Sequence, residues 1–200
     1  MQALLVLPWH MSEAYANGGK RLFDLALVIL FAPLWMCTVA CARFISWLEA
    51  GQGFYVDARV GRGGAEFRCW KIRTMRRGAA KSCAAIKSRF DPRVTRSGRF
   101  LRRTSLDELP QLLCVLKGEM SLVGPRPIPA SELHLYGGHQ AQYLKLRPGL
   151  TGLWQVSGRN SLPYCARVML DVEYVQQPTL RGDIVILLAT CREVWRMSGR

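Results

Sequence analysis

Acidic residues are scarce in this chain: 14 Asp and Glu stand against 28 Lys and Arg, a formal net charge of +14 over 200 residues. That imbalance excludes a self-neutralised surface and calls for nucleic acid, anionic lipid or a phosphorylated ligand as partner. Histidine is rarer still, with His10, His134 and His139 far from most of the cysteines. The seven cysteines (Cys37, Cys41, Cys69, Cys83, Cys114, Cys165 and Cys191) form no CxxC pair. These spacings argue against structural zinc. An odd, scattered set fits a reducing compartment, where cysteines pack as small apolar residues. No Gly-Lys-Ser/Thr follows the glycine cluster at 61–64, so that cluster is a turn rather than a phosphate loop. Helix-turn-helix, finger and aromatic-RNP signatures are missing too, which weighs against a nucleic-acid-binding module.

What is present begins with an apolar run. Residues 25–42, LALVILFAPLWMCTVACA, carry no charge. As a helix they reach roughly 27 Å, just enough for a bilayer core. A cleaved signal peptide fits poorly, because the run starts late and lacks a small-x-small site. A buried soluble helix is the plainer alternative. Pro33 lies near the middle, where it removes a backbone hydrogen bond and kinks a helix. Lys20 and Arg21 precede the run, and Arg43, Arg59 and Arg62 follow it. The positive-inside tendency asks for both flanks on the cytoplasmic face. A helix that enters, breaks at Pro33 and leaves on the same side satisfies this, whereas a straight span does not. Backbone groups freed at such a bend need partners inside the protein. Asp24 borders the run and needs pairing, with Lys20, Arg21 or a downstream arginine as candidates for a structural salt bridge.

Segments 54–60 and 65–75 have strand character around the turn at 61–64, which predicts a β-hairpin. Alternation places Lys71 and Arg73 on one face of the second strand. A solvated face and a phosphate site are equally open there. Residues 76–90 are basic and patternless, an irregular excursion. Arg93, Arg96, Arg99, Arg102 and Arg103 then lead into Ser105-Leu106-Asp107-Glu108-Leu109-Pro110-Gln111. Ser105 and Glu108 match a capping box, while capping by Asp107 would put Pro110 in a first turn that tolerates it. Either way both carboxylates fall at a helix start, where anions are favoured. A carboxylate can attack phosphorus, and its neighbour can handle protons or help hold a metal. Taken alone, such a pair is more often a cap than a catalytic dyad.

The order of motifs resembles the bacterial sugar transferase family of monotopic phosphoglycosyl transferases. The matching segments are KRLFDLALVILFAP (20–33), RVGRGGAEFRCWKIRTM (59–75), DPRVTRSGRFLRRTSLDELPQLL (91–113), VLKGEMSLVGPRP (115–127) and RPGLTGLWQVSGRN (147–160). The resemblance implies a mixed α/β, mostly helical fold: an N-terminal segment (1–19), a re-entrant membrane helix-break-helix (20–50) with its break at Pro33, and a compact cytosolic catalytic domain (51–200) holding a small β-hairpin. It also implies a short member of the family, essentially the catalytic domain alone.

The implied reaction has two steps. Asp107 attacks the sugar-linked phosphate of a UDP-sugar and releases UMP, and undecaprenyl phosphate then takes the phosphosugar from the enzyme. Mg²⁺ is implied, with Asp107 as its protein contact and Glu108 as the dyad partner. Arg102 and Arg126 match family arginines tied to phosphate and nucleotide binding, and Lys71, Arg73, Gln155 and Arg159 join them as candidate substrate contacts. Pro125 and Pro127 restrict the backbone around Arg126, which lowers the entropy lost when its fork is held toward a phosphate. The Gly-rich segment 147–159 resembles that of members using UDP-glucose or UDP-galactose; Trp154 within it serves equally as a core anchor. The implied setting is the cytoplasmic face of the bacterial inner membrane, with membrane lipids as partners and a homodimer left open. The implied pathway role is the first membrane step of exopolysaccharide, O-antigen or capsule assembly. Ala32-Pro33 departs from the family's frequent Ser-Pro, and Cys114 stands where Asn is common. A membrane-associated scaffold without catalysis is the rival, and the intact Asp107, Glu108, Arg102 and Arg126 set argues against it. Residues 169–174 look helical, and the segment from Asp183 fits a core helix or an interfacial one.

Overall fold

Two helices of unequal length open the fold of the computed structural model, which describes residues 15–77 and 91–197. His10, Cys83, most of the 1–19 segment and all but the first two residues of the basic excursion lie outside the described residues. After a short π-helical turn, Tyr15–Gly19, helix α1 covers Lys20–Leu30 and α2 covers Ala32–Ala50, with a 64° bend between them. The break falls at Phe31, two residues before Pro33, and Pro33 sits in the first turn of α2. Proline is tolerated in a first turn, and its ring and missing N–H disrupt the turn before it. The bend is satisfied from within: the Trp35 indole N–H donates to the Val28 carbonyl at 3.0 Å. Among the described residues no single helix is long and apolar enough to cross a membrane, but the bent pair meets that test jointly.

One side of the pair faces the protein. Val28, Trp35, Val39 and Ala42 are buried in the main core. Asp24 is buried with them, and Ser121 Oγ (2.7 Å) and the Leu122 N–H (3.3 Å) donate to its carboxylate. Lys20 lies 4.0 Å from the same carboxylate, so the expected salt bridge forms alongside these hydrogen bonds. The opposite side exposes Ile29, Leu30, Leu34, Phe44, Trp47 and Leu48.

Strands β1 (Phe54–Val60) and β2 (Glu66–Ile72) form the expected antiparallel hairpin, with Phe54 opposite Ile72 and Val60 opposite Glu66. A 3-10 turn, Arg62–Gly64, joins them, and Gly63 and Gly64 take the left-handed φ that suits glycine. Helix α3 (Arg96–Thr104) starts where Thr95 Oγ1 accepts the Gly98 N–H at 3.0 Å. A 3-10 helix, Leu106–Gln111, runs directly into α4, Leu112–Lys117.

Strand β3 (Ser121–Val123), a 3-10 helix (Ala130–His139) and α5 (Gln140–Tyr143) follow. Strand β4 (Gly149–Thr151) pairs parallel to β3, a second two-stranded sheet that periodicity did not foreshadow. It needs glycine on both sides: a Cβ on Gly149 would stand 2.1 Å from the Gly124 nitrogen. Helices α6 (Leu153–Val156), α7 (Tyr164–Gln176) and α8 (Leu180–Trp195) complete the described chain. α8 is tied to the front of the molecule through Asp183, which is fully buried and accepts from Tyr15, Lys20 and Tyr174. The main core joins α1, α2, β2, α4 and β3 around Cys69, Cys114, Val115 and Met120, so the bent pair and the rest share one interior.

Candidate active site

The Asp-Glu pair is positioned by a reversal of the chain. Ser105 closes α3 in the left-handed conformation (φ 56°, ψ 17°), and the 3-10 helix starts at once, with Asp107 and Glu108 in its first turn. Neither capping scheme expected from sequence forms: Ser105 makes no side-chain cap bond, and Asp107 lies inside the helix. The reason is the abrupt junction, because a left-handed residue between two helices leaves no extended N-cap position. Leu106 and Leu109 pack on the main core, and the 3-10 helix rests on both β2 and α2. The carboxylates are therefore mounted on the bent helix pair and the hairpin together.

Cations surround the dyad unequally. Lys71, near the end of β2, donates to Glu108 Oε1 at 2.6 Å, and an Arg126 terminal nitrogen lies 3.7 Å from the same oxygen. Burial works to raise the Glu108 pKa, but Lys71 and Arg126 outweigh it and hold Glu108 well below the usual range. Asp107 goes the other way: burial, then the negative charge of Glu108, push its pKa up against the pull of Lys71 and Arg102. Two neighbouring carboxylates thus have opposite proton affinities, a pattern that marks functional sites.

Both line a cleft of about 380 Å³, a volume suited to a small organic ligand. Arg59, Arg102, Arg126, Arg159 and Arg167 line it as well. Arg102 is anchored by Nε to Thr74 Oγ1 at 2.8 Å. Arg126 stacks over the buried Trp154 ring at 5.7 Å, and Arg167 over the same ring at 5.0 Å. Its backbone is fixed as the two prolines suggested, and its carbonyl accepts from Tyr143 at 3.1 Å. Arg159 is held by Nε to the Gln155 carbonyl at 3.1 Å. Gln155 lines the cleft with its Oε1 buried and without a hydrogen-bond partner.

Of the eight residues expected from sequence, Asp107, Glu108, Arg102, Arg126, Gln155 and Arg159 meet in this cleft, and Lys71 lines a small adjoining hollow. Arg73 is not among the lining residues. It keeps the face it shares with Lys71: its N–H donates to the Gly53 carbonyl just past β2, and its guanidinium lies over Tyr55, the cross-strand partner of Lys71, at 5.7 Å. Arg59, Arg167, Tyr136, Tyr164 and Asp171 were not singled out as site residues. Tyr164, Arg167, Val168 and Asp171 follow i, i+3, i+4, i+7 spacing along α7, a face whose mixture of charge and aromatic could have marked it.

Among the described residues no three His, Cys, Asp or Glu side chains cluster as a metal cage. Mg²⁺ does not need one, since it is commonly held by one or two carboxylates together with substrate phosphates. Asp107 in an arginine-lined cleft fits that mode, whereas Glu108 is already taken up by Lys71.

The sequence profile described as bacterial sugar transferase matches residues 15–197, and the chain belongs to that family. It is 43% identical to the exopolysaccharide production protein ExoY of Rhizobium meliloti, over 96% of this chain and 93% of that protein. It is 42% identical to the undecaprenyl-phosphate galactose phosphotransferase of Salmonella typhimurium, over 98% of this chain but only 44% of that longer protein. The UDP-glucose:undecaprenyl-phosphate glucose-1-phosphate transferase of Caulobacter vibrioides is 39% identical over 86% of this chain and 67% of its own length.

Proposed function

We propose that the chain transfers hexose-1-phosphate from a UDP-hexose, UDP-glucose or UDP-galactose, to undecaprenyl phosphate, releasing UMP. The observation that carries this is the dyad of opposed proton affinity inside an arginine-lined cleft, in a chain of this family. Relatives named for galactose and glucose transfer support the donor class, and the relative ExoY supports a place in exopolysaccharide production.

In the first step an Asp107 carboxylate oxygen attacks the sugar-linked phosphorus. The Asp–O–P bond forms, the bond from that phosphorus to the bridging oxygen breaks, and UMP leaves with the electron pair. In the second step a phosphate oxygen of undecaprenyl phosphate attacks the same phosphorus, and the Asp107 carboxylate is released. Splitting one displacement into two is the advantage of a covalent intermediate. Arg102, Arg126 and Arg159 bind and orient the diphosphate, and stacking on Trp154 limits the freedom Arg126 must lose. Lys71 keeps Glu108 ionised beside the nucleophile. Asp107 and the donor's phosphate oxygens would hold Mg²⁺, which when bound neutralises diphosphate charge and opposes protonation of Asp107.

The bent pair, its outer face apolar and its ends basic, supports seating on the cytoplasmic face of the inner membrane. The 3-10 helix that carries the dyad packs on α2, which would bring it close to the lipid head groups. Radiolabelled UDP-hexose tests the chemistry. Wild-type protein should retain label covalently when undecaprenyl phosphate is withheld, and Asp107→Asn should retain none while staying folded; equal labelling of both would defeat the mechanism.

A further inference from the structure

Beyond its arginines, the cleft holds a second kind of polar group. Asp171, on α7, has 1% of its surface exposed. Its Oδ2 accepts from the Tyr136 hydroxyl at 2.8 Å, while its buried Oδ1 makes no well-formed hydrogen bond, although the Arg126 backbone N–H and side-chain charge both act on the carboxylate. The Tyr164 hydroxyl is buried and unpartnered, as is Gln155 Oε1. All three side chains line the cleft that holds the dyad. A carboxylate oxygen without a well-formed hydrogen bond is costly to bury, and two orphans beside the same cavity are unusual for a packed interior.

Their chemistry differs from that of the rest of the site. Phosphate carries no N–H or O–H to give at neutral pH beyond one weakly held proton, so carboxylate and amide oxygens do not recognise it; they repel or ignore it. Two acceptors and one hydroxyl match a ligand that presents several neutral O–H groups, as a hexose ring does. Tyr136 sits edge-on to Tyr164 with ring centroids 6.4 Å apart, giving that end of the cleft the apolar walls that sugar C–H faces favour. The α7 side of the cleft thus adds oxygen acceptors beside Arg126 and Arg167, where the rest of the lining offers mainly cations.

We infer that Asp171, assisted by Tyr164 and Gln155, forms the sugar-recognition part of the cleft, its Oδ1 accepting a hydrogen bond from a hexose hydroxyl of the donor. This rests on the UDP-hexose reading above and adds a residue that determines specificity. Tyr136 is a positioning residue in this scheme, because its hydroxyl fixes the carboxylate through Oδ2. A site built around a hydroxyl discriminates strongly against a ligand that lacks or misplaces it, since its own polar atoms are then left unpaired.

Calorimetric binding of UMP, UDP-glucose and UDP-galactose, alongside UMP-release kinetics, tests the assignment on wild type, Asp171→Asn and Tyr164→Phe. Asp171→Asn puts an amide donor where an acceptor stood. It should weaken the preferred UDP-hexose about 10- to 100-fold, change the glucose-to-galactose preference, and leave UMP affinity within about two-fold. Tyr164→Phe breaks no hydrogen bond of the protein, so it should fold normally and show a smaller change of the same kind. Equal losses for UMP and both UDP-hexoses in the two variants, or no loss in either, would overturn the inference. Wild type that binds UDP-hexose through Asp171 yet releases no UMP would defeat the transfer reaction and leave the sugar contact standing.

Discussion

Lys71 and Glu108 meet at 2.6 Å across the junction of β2 and the dyad-bearing 3-10 helix. The pair keeps one member of the dyad ionised, so that its charge raises the proton affinity of the other. Lys71→Met removes the cation, and the Glu108 pKa should rise in consequence. Turnover should fall on the order of 100-fold, and the acidic limb of the pH–rate profile should move to higher pH. UMP release measured from mildly acidic to mildly alkaline pH reports both. An unmoved acidic limb would show that Lys71 does not govern the dyad.

Arg126 touches Glu108 from a second direction and lies over Trp154. Arg126→Lys keeps the charge but loses the planar fork that pairs with phosphate and stacks on an indole. The KM for UDP-hexose should rise about 10-fold, with Arg126→Ala worse than Arg126→Lys. Steady-state kinetics on both variants decide it, and a lysine variant equal to wild type would reduce the role of Arg126 to charge alone.

Burial pushes the Asp171 pKa up to about 7, although its bond from Tyr136 and the nearby Arg126 oppose the rise. The folded-state value exceeds the unfolded one, so in this range the folded protein binds the extra proton. Stability is full below the unfolded pKa and is lost as pH rises through about 7. From mildly acidic to mildly alkaline pH, wild type should lose on the order of 2 kcal/mol that Asp171→Asn does not lose. Denaturant unfolding in detergent at several pH values checks this; parallel curves for the two proteins would refute it.

Asp183 gathers Tyr15, Lys20 and Tyr174 around one fully buried carboxylate. Asp183→Ala leaves the Tyr15 hydroxyl without its acceptor and the largely buried Lys20 ammonium with only Asp24 at 4.0 Å, while Tyr174 keeps the Val123 carbonyl at 3.2 Å. It should destabilise the fold by about 3–5 kcal/mol, against about 1 kcal/mol for Tyr15→Phe. Unfolding midpoints of the two variants compared with wild type give the ratio.

Thiol reagents should separate the cysteines. Cys69 and Cys114 are buried, and burial pushes the Cys114 thiol up to about 12, so neither should react in the folded protein. Cys37, Cys41, Cys165 and Cys191 are exposed and should react in mild detergent. In vesicles, a water-soluble reagent should miss Cys37 and Cys41 on the bent pair and still label Cys165. Labelling of all four in vesicles would contradict membrane seating.

Local patterns were legible wherever one residue type carries its own constraint. The hairpin could be read because two alternating segments flank a glycine turn, and the helix break because proline disrupts the turn preceding it. The break nevertheless lies at Phe31, since the disruption falls upstream of the ring. Arg126 was legible through its flanking prolines. Alternation put Arg73 on the face of Lys71, where it lies over Tyr55, but alternation says nothing of where the cleft ends, and Arg73 is not among its lining residues. The β3–β4 pair was invisible: each strand is three residues long, and its partner lies far along the chain. Asp171 and Tyr164 escaped notice for a related reason, because on α7 they look like an ordinary mixed helix face until the cleft folds against them.

The indole of Trp35 closing on the Val28 carbonyl has a mechanical consequence. Proline opens the bend, and the protein's own indole satisfies the Val28 carbonyl there, so that group needs no partner from the surroundings. With 11 residues, α1 extends roughly 16 Å, about half the hydrocarbon thickness. Seated in a bilayer, such a wedge would displace lipid from a single leaflet. Its insertion should then be easiest where head groups are loosely packed, making lipid packing stress a determinant of where the protein settles.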